Sequence, residues 1–264
     1  VDLYDWCSRH NLAAVPYADS LGLEAAGFKH SLCVEIDEDA RATLKKNRPR
    51  WRLAAPADIH LLTSKMLIEQ ACTELGSTDL LAGGPPCQPF SKSSYWLRGD
   101  SQRLKDPRAS TLSAYLEVVN SLLPRVILLE NVRGLAFSGK DEGLKLLKTG
   151  LEKINARHKT NYIPELCELN AAHFGVPQLR ERVFIIASRD GRIFQRPPSH
   201  HGDDECLLPI RTAWDAIGDL DSPTWPENLN LRGKWAELLP SIPEGENYLW
   251  HTPDSKGEPI FGRV

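Results

Sequence analysis

Short apolar runs alternate along this chain with longer segments whose apolar positions recur every three or four residues. The short runs predict β-strands at 31–35, 79–82, 125–130, 162–168 and 183–187. The longer segments predict helices at 37–47, 63–75, 109–123, 143–156 and 211–220, with Asp37 as an N-cap and Gly76 as a C-cap. This order predicts an α/β fold, a mostly parallel sheet with helices on both faces.

Polar or reactive side chains stand at or just past the ends of three predicted strands. They are Glu35, Cys87 and Glu130. In open parallel sheets, ligands bind outside the carboxyl ends of the strands. The pattern therefore predicts that these three side chains border one site.

Cys87 lies in the segment 83–91, which reads Gly-Gly-Pro-Pro-Cys-Gln-Pro-Phe-Ser. The two glycines let another group approach the backbone closely, and the three prolines restrict the conformation around the cysteine. Such a turn can present a soft nucleophile at the mouth of a site. The alternative is a proline-rich surface loop with an incidental cysteine.

Two further segments favour a cysteine presented at a site over an incidental cysteine in a surface loop. Residues 126–132, Val-Ile-Leu-Leu-Glu-Asn-Val, end in a carboxylate and an amide, and residues 178–187 open with Gln-Leu-Arg-Glu-Arg before an apolar run. Together with the Pro-Cys-Gln segment, and in this order, they resemble the motifs of the bacterial DNA cytosine-5 methyltransferase family. The resemblance covers about residues 20–220.

The resemblance implies a Rossmann-like class I methyltransferase fold and a reaction by covalent catalysis. Cys87 would add to C6 of a cytosine that has left the duplex. Glu130 would bond the N3/N4 edge of the base, Arg182 would hold O2, and Arg180 would help to order the site. Glu130 paired with an arginine is also a sound structural ion pair, which is the alternative for these two residues.

The same resemblance implies S-adenosyl-L-methionine as the methyl donor. Glu35 would bind the ribose hydroxyls, and Ile36 would pack on the adenine. Asp58 would face the adenine amino group, next to Ile59. Pro85 would line the pocket.

On the DNA side, Gln88, Ser91 and Asn131 are the expected substrate-binding residues, although Asn131 also suits a role in shaping the turn at the strand end. Residues 92–108 follow the cysteine and hold five basic side chains against two acidic ones. A stretch of this kind can contact phosphates, or it can be an ordinary solvated loop.

The chain departs from the family pattern at two places. The family's glycine loop, Phe-x-Gly-x-Gly, is absent before the predicted helix at 20–28, and residues 1–4 only weakly resemble the strand that precedes that loop. We expect either that residues are missing near Asp19 or that the cofactor site is degenerate. We also expect a catalytic domain over 1–190, with 191–264 as a linker and an incomplete target-recognition region.

Composition adds few constraints. The chain has 264 residues, a net charge of −3 and six cysteines without a C-x-x-C pair, so we expect no metal site and a reducing compartment. There is no apolar stretch of about 18 residues and no secretory signal pattern, so we expect no membrane association. We expect the protein in the bacterial cytoplasm, associated with the nucleoid, with double-stranded DNA as its partner. We also expect a monomer, with a cognate restriction endonuclease as a genetic partner.

Three alternatives remain open at this stage. A related subfamily with the same motifs methylates transfer RNA. The absent glycine loop would also fit a catalytically dead relative that only binds nucleic acid. The third alternative is an unrelated thiol enzyme. It lacks a good catalytic base for Cys87, because neither His60 nor His158 stands in a sequence typical of a catalytic triad.

Overall fold

The structure, a computed structural model, describes residues 11–13, 17–85, 110–132, 142–221 and 236–243. By their internal contacts the residues form two units, Val1–Ala213 and Trp214–Val264. The predicted domain boundary after residue 190 stays a prediction. The site described below lies in the first unit.

One six-stranded sheet organises the first unit. Its strands, in chain order, are β1 (Asn11–Ala13), β2 (Lys29–Leu32), β3 (Leu80–Gly83), β4 (Val126–Asn131), β5 (Glu165–Asn170) and β6 (Glu181–Ser188). Across the sheet the order is β2-β1-β3-β4-β6-β5. The first four of these are parallel, and β6 runs antiparallel to both of its neighbours. The predicted mostly parallel α/β sheet is confirmed.

Helices and short 3₁₀ turns connect the strands or follow the last strand. The α-helices are α1 (Tyr17–Ala25), α2 (Glu38–Asn47), α3 (Ser64–Ala71), α4 (Ser110–Leu122), α5 (Glu142–His158) and α6 (Ala213–Ile217). The 3₁₀ turns are Ile59–Leu61, Ala171–Phe174, Gly218–Leu220 and Ala236–Ser241. Asp37 caps α2 as predicted, since its carboxylate accepts a hydrogen bond from the Ala40 amide at 2.8 Å.

The central strands are apolar on both faces, as expected for strands covered on both sides. On β4, Ile127 and Leu129 are fully buried in the main core, which includes side chains from α3, α4 and α5. The intervening Leu128 packs with Leu80 and Phe28 on the opposite face. A cavity of about 350 Å³ opens on that second face, beside the amino ends of β3 and β4.

Three elements differ from the sequence prediction. Strand β1 was not predicted, and the weak strand pattern at 1–4 lies outside the described residues. Helix α3 ends at Ala71 rather than Leu75, because Cys72 adopts a left-handed conformation with φ +49° and closes the helix. In place of one helix over 211–220, the structure has the short α6 followed by a 3₁₀ turn.

The fully buried position of Ile127 predicts a large effect on stability. Ile127→Ala should lower the free energy of unfolding by about 2–5 kcal/mol, because the main core would lose packing on a rigid strand. Urea unfolding followed by circular dichroism measures this change. Ile193 is 81% exposed, so the control Ile193→Ala should change the free energy by less than about 0.5 kcal/mol. Equal losses in the two variants would contradict this account of the core.

Candidate active site

The strand order places the candidate site at the carboxyl edge of the sheet. The chain runs from β1 outward to β2 on one side, whereas β3 lies on the other side of β1. This reversal is a topological switch point, where open α/β sheets bind ligands. Four segments lie at this edge. They are the residues that follow β2, the residues that follow β3, the last residues of β4, and the start of the antiparallel β6.

Glu130 and Arg182 form the polar centre of this edge. Glu130 faces Phe184 in the register of β4 and β6, so the start of β6 lies beside the end of β4. The Arg182 Nε lies 2.8 Å from Glu130 Oε1, and the two side chains are 22% and 20% exposed. The Arg182 guanidinium also donates to the Glu181 carbonyl at 2.7 Å. The structure thus brings together two of the predicted catalytic side chains as a partly buried ion pair.

The neighbouring Asn131 ties β4 to the turn that follows β3. Its side chain is buried, donates to the Pro85 carbonyl at 3.1 Å, and accepts from the Val132 amide at 2.9 Å. A Cβ at Gly83 would lie 2.8 Å from the ring of Tyr115, so glycine lets the strand end pass close over that ring. The chain is therefore held in a defined position two residues before Cys87.

Glu35 lies beyond the end of β2, at the other side of the switch point. One oxygen of its carboxylate accepts from the Asp37 amide at 2.9 Å. The guanidinium of Arg41 donates to the Glu35 carbonyl at 2.9 Å and to the Ala54 carbonyl at 3.1 Å, which joins this end of β2 to the following loop. Ile36 is 64% exposed, so a flat apolar group bound beside Glu35 could cover it.

Asp58 and Ile59 sit on the loop that Arg41 helps to fix. The Asp58 carboxylate caps the short 3₁₀ turn by accepting from the His60 amide at 2.9 Å, and Ile59 packs against the main core. Upstream, the amide of Gln70 makes two hydrogen bonds of 2.8 Å to the backbone of Ala55. The loop is thereby anchored to α3 as well as to α2.

Several predicted site residues are not brought into this arrangement. Cys87, Gln88 and Ser91 lie outside the described residues, as does the basic stretch 92–108. Arg180 is exposed, and its backbone is held by the Asn170 side chain, which accepts from the Arg180 amide at 3.1 Å. The roles assigned to these residues stay predictions.

Sequence reasoning missed the residues that support the site. Arg41, Gln70 and Tyr115 act through main-chain carbonyls, and nothing local in the sequence distinguishes them from ordinary helix residues. Asn170 had a readable signal, because an asparagine before a short Ala-Ala-His-Phe turn is a typical N-cap.

Comparisons with known proteins identify the family of this chain. The profile of the C-5 cytosine-specific DNA methylase family matches residues 12–253, which is most of the chain. This chain belongs to that family. The sequence resemblance to the cytosine-5 methyltransferases is therefore confirmed, and so is the expected methyltransferase fold class.

Individual members of the DNA methylase family match over different shares of their length. The type II methyltransferase M.SacI of Streptomyces achromogenes is 34% identical over 240 residues, which cover 88% of this chain and 59% of M.SacI. The type II methyltransferase M.AquIA of a Picosynechococcus strain is 35% identical over 224 residues, covering 80% of this chain and 88% of M.AquIA. The chain thus spans just over half of one relative and most of the other.

Among solved structures, the Entamoeba histolytica methyltransferase EhMeth superimposes with a TM-score of 0.57 at 19% identity, over 85% of this chain and 63% of EhMeth. At that identity the likeness shows the fold alone. Within the described ranges of this DNA methylase domain, no helix is long and apolar enough to cross a membrane. Those ranges also hold no cluster of three metal-ligating side chains.

The four described cysteines differ in exposure. Cys33 and Cys167 are buried, and Cys72 and Cys206 are exposed. Burial raises the pKa of the Cys33 thiol to about 11. Burial also raises the pKa of Cys167, against an opposing effect of Arg196. Both buried thiols are therefore protonated and unreactive near neutral pH.

We expect this contrast to appear in thiol labelling at pH 8. Iodoacetamide should modify Cys72 and Cys206 in the folded protein, whereas Cys33 should react only after unfolding in urea, because its thiolate is both scarce and inaccessible. Peptide mapping by mass spectrometry gives the extent at each site. Early modification of Cys33 in the folded protein would show that the thiol is not buried as described.

Proposed function

We propose that this chain is the catalytic part of a DNA (cytosine-5)-methyltransferase, which transfers a methyl group to C5 of a flipped cytosine in double-stranded DNA. The observation that carries the proposal is the Glu130–Arg182 pair at the carboxyl edge, next to a turn that Asn131 holds two residues before Cys87. Membership of the C-5 cytosine-specific DNA methylase family supports the same conclusion. The type II methyltransferases among its relatives favour DNA over transfer RNA as the substrate.

In the proposed reaction, the chain's own groups prepare the base for attack. The Cys87 thiolate forms a bond to C6 of cytosine, and the electrons of the 5,6 double bond make C5 nucleophilic. Glu130 holds N3 and the N4 amino group, while Arg182 holds O2, where negative charge develops. After methyl transfer the C5 proton leaves, the double bond reforms, and the thiolate departs from C6.

We further propose S-adenosyl-L-methionine as the donor, which supplies the methyl group when bound. The residues near β2 fit its adenosine half. Glu35 offers carboxylate oxygen to ribose hydroxyls, exposed Ile36 offers an apolar surface to adenine, and Asp58 and Ile59 stand on an anchored loop. Pro85 lies at the switch point on the other side.

The methionine half of the donor finds less support in this chain. Three residues, Ala-Val-Pro at 14–16, connect β1 to α1, and none of them is glycine. This favours a second candidate function, a catalytically dead relative that binds nucleic acid without methylating it. Isothermal titration of the chain with S-adenosyl-L-methionine tests this candidate, because micromolar binding would remove the observation that supports it.

The relatives also suggest a cellular setting for the proposed enzyme. We propose a restriction-modification role on DNA in the bacterial cytoplasm, with a cognate restriction endonuclease as genetic partner, and the type II methyltransferases among the relatives support this setting. We propose that the chain acts as a monomer, because cytosine-5 transfer at one flipped base needs a single copy of the site.

Covalent trapping on DNA tests the proposed function directly. Duplex DNA carrying 5-fluorocytosine should accumulate a covalent protein–DNA adduct in the presence of S-adenosyl-L-methionine, because fluorine at C5 cannot leave as a proton does. Cys87→Ser should abolish the adduct, while its circular dichroism and donor affinity stay unchanged. A denaturing gel measures the adduct, with transfer RNA carrying 5-fluorocytosine as a parallel substrate.

Each outcome of the trapping assay has a distinct meaning. An adduct that depends on Cys87 and forms on DNA supports the proposal. An adduct on transfer RNA alone replaces the substrate class. The absence of any adduct on transfer RNA and on duplexes of varied sequence favours the dead relative.

The donor site predicts a separable effect for Glu35. Glu35→Ala should weaken S-adenosyl-L-methionine binding by about tenfold, the loss of one charge-assisted hydrogen bond to the ribose. Its neighbour Glu38 is an exposed carboxylate in the first turn of α2, so Glu38→Ala serves as the matched control and should leave the affinity unchanged. Titration calorimetry measures both variants, and equal effects would remove Glu35 from the donor site.

A further inference from the structure

The β5–β6 connection, which leads directly to Arg182, is closed at its base by one side chain. The Asn170 carboxamide oxygen accepts from the Ala172 amide and from the Arg180 amide, both at 3.1 Å. The Ala171 amide adds a bond of 3.0 Å to the Arg180 carbonyl. Residues 171–179 therefore form a loop with a fixed neck, and Arg182 emerges two residues beyond that neck.

The far end of this loop is held by a segment that comes after β6. The amides of His200 and His201 both donate to the His173 carbonyl, at 2.9 and 3.0 Å. The ring of His200 meets the ring of Phe174 edge-on, with centroids 6.0 Å apart. These contacts join the segment before β6 to the segment after it, so the two segments that flank the strand hold each other in place.

The segment 200–208, which contributes His200 and His201, is closed into a turn by its own backbone hydrogen bonds. The Leu208 amide donates to the His200 carbonyl at 2.9 Å, and the Gly202 amide donates to the Leu208 carbonyl at 2.9 Å. A turn fixed by its own hydrogen bonds can present the His201 ring without needing a further partner.

The His201 ring occupies the space above Gly175. Gly175 ends the 3₁₀ turn with φ +81°, a conformation that favours glycine. A Cβ at this position would lie 2.8 Å from His201 Cε1. The His201 Nδ1 atom is buried and has no hydrogen-bond partner in the described part of the chain. Among the described residues, packing against the turn at Gly175 is therefore the contact that holds this ring.

We propose that His201 is a positioning residue for the Glu130–Arg182 pair. By filling the space over Gly175, its ring fixes the turn at 175–180 and so the place where the chain enters β6, from which the Arg182 side chain reaches Glu130. Removing the ring frees the turn, and Arg182 then meets the base in a poorer alignment. The expected loss of kcat rests on the proposed function, whereas the expected loosening of the turn at 175–180 does not.

A double-mutant cycle with a matched control tests the proposal. The variants are His201→Ala, Gly175→Ala and the two combined. His158→Ala is the control. His158 is the last residue of α5 and forms a hydrogen bond of 2.9 Å with Asn120 of α4. Because α4 leads to the amino end of β4, this contact lies away from Glu130 at the carboxyl end. Steady-state methylation of duplex DNA gives kcat and KM, and hydrogen exchange by mass spectrometry follows the backbone amides at 171–182.

The expected result is a loss in kcat without a loss in binding. His201→Ala should lower kcat by about tenfold to a hundredfold, the usual cost of a small misalignment, with KM for DNA and donor within about twofold of wild type. The double variant should lose less than the product of the two single losses, because the residues touch. A kcat within about twofold of wild type in His201→Ala, or an equal loss in His158→Ala, overturns the proposal.

Hydrogen exchange keeps the test independent of catalysis. His201→Ala should speed exchange of the Arg180 amide, which Asn170 otherwise holds, and His158→Ala should not. If the wild-type chain transfers no methyl group, the proposed function fails while exchange still decides the role of His201. Unchanged exchange at 171–182 in His201→Ala overturns the inference.

Discussion

The register of β4 between β3 and β6 is the constraint on which the site depends. β4 pairs in parallel with β3, Leu129 opposite Gly83, and antiparallel with β6, Asn131 opposite Val183. Ile127 and Leu129 are fully buried in the main core, and a slip by one residue would turn both away from it and turn Glu130 towards it. The same register sets Glu130 beside the start of β6, and Asn131 beside the turn after β3.

The ion pair at the end of β4 is better explained by chemistry than by stability. Removing a carboxylate and a guanidinium from water is costly, and an apolar pair of similar size would often stabilise the fold as well or better. The pair here keeps about a fifth of each side chain exposed at the ligand-binding edge. In the proposed reaction, each partner is thereby held in place before a base arrives, which avoids reorganisation during the reaction.

The sequence predicted those elements whose signal is local. The runs that became β3, β4 and β6 are apolar because both faces are covered, and the Asp37 cap is a property of adjacent residues. β1 was missed because three residues, Asn-Leu-Ala, carry no period, and its strand conformation comes from pairing with β2 and β3. The packing of Gly175 against His201 joins residues far apart in the chain, and no local pattern encodes such a contact.

The two halves of the proposed donor site follow the same division between local and long-range signals. At the end of β2, the Arg41 guanidinium and the Gln70 amide fix a loop that carries Asp58, so this half is built by tertiary contacts. The half near β1 would depend on close backbone approach, which glycines permit, and residues 14–16 read Ala-Val-Pro without a glycine. Donor affinity and base chemistry are then separable in this chain, because Glu130, Asn131 and Arg182 lie on β4 and β6, whereas Glu35 and Asp58 follow β2.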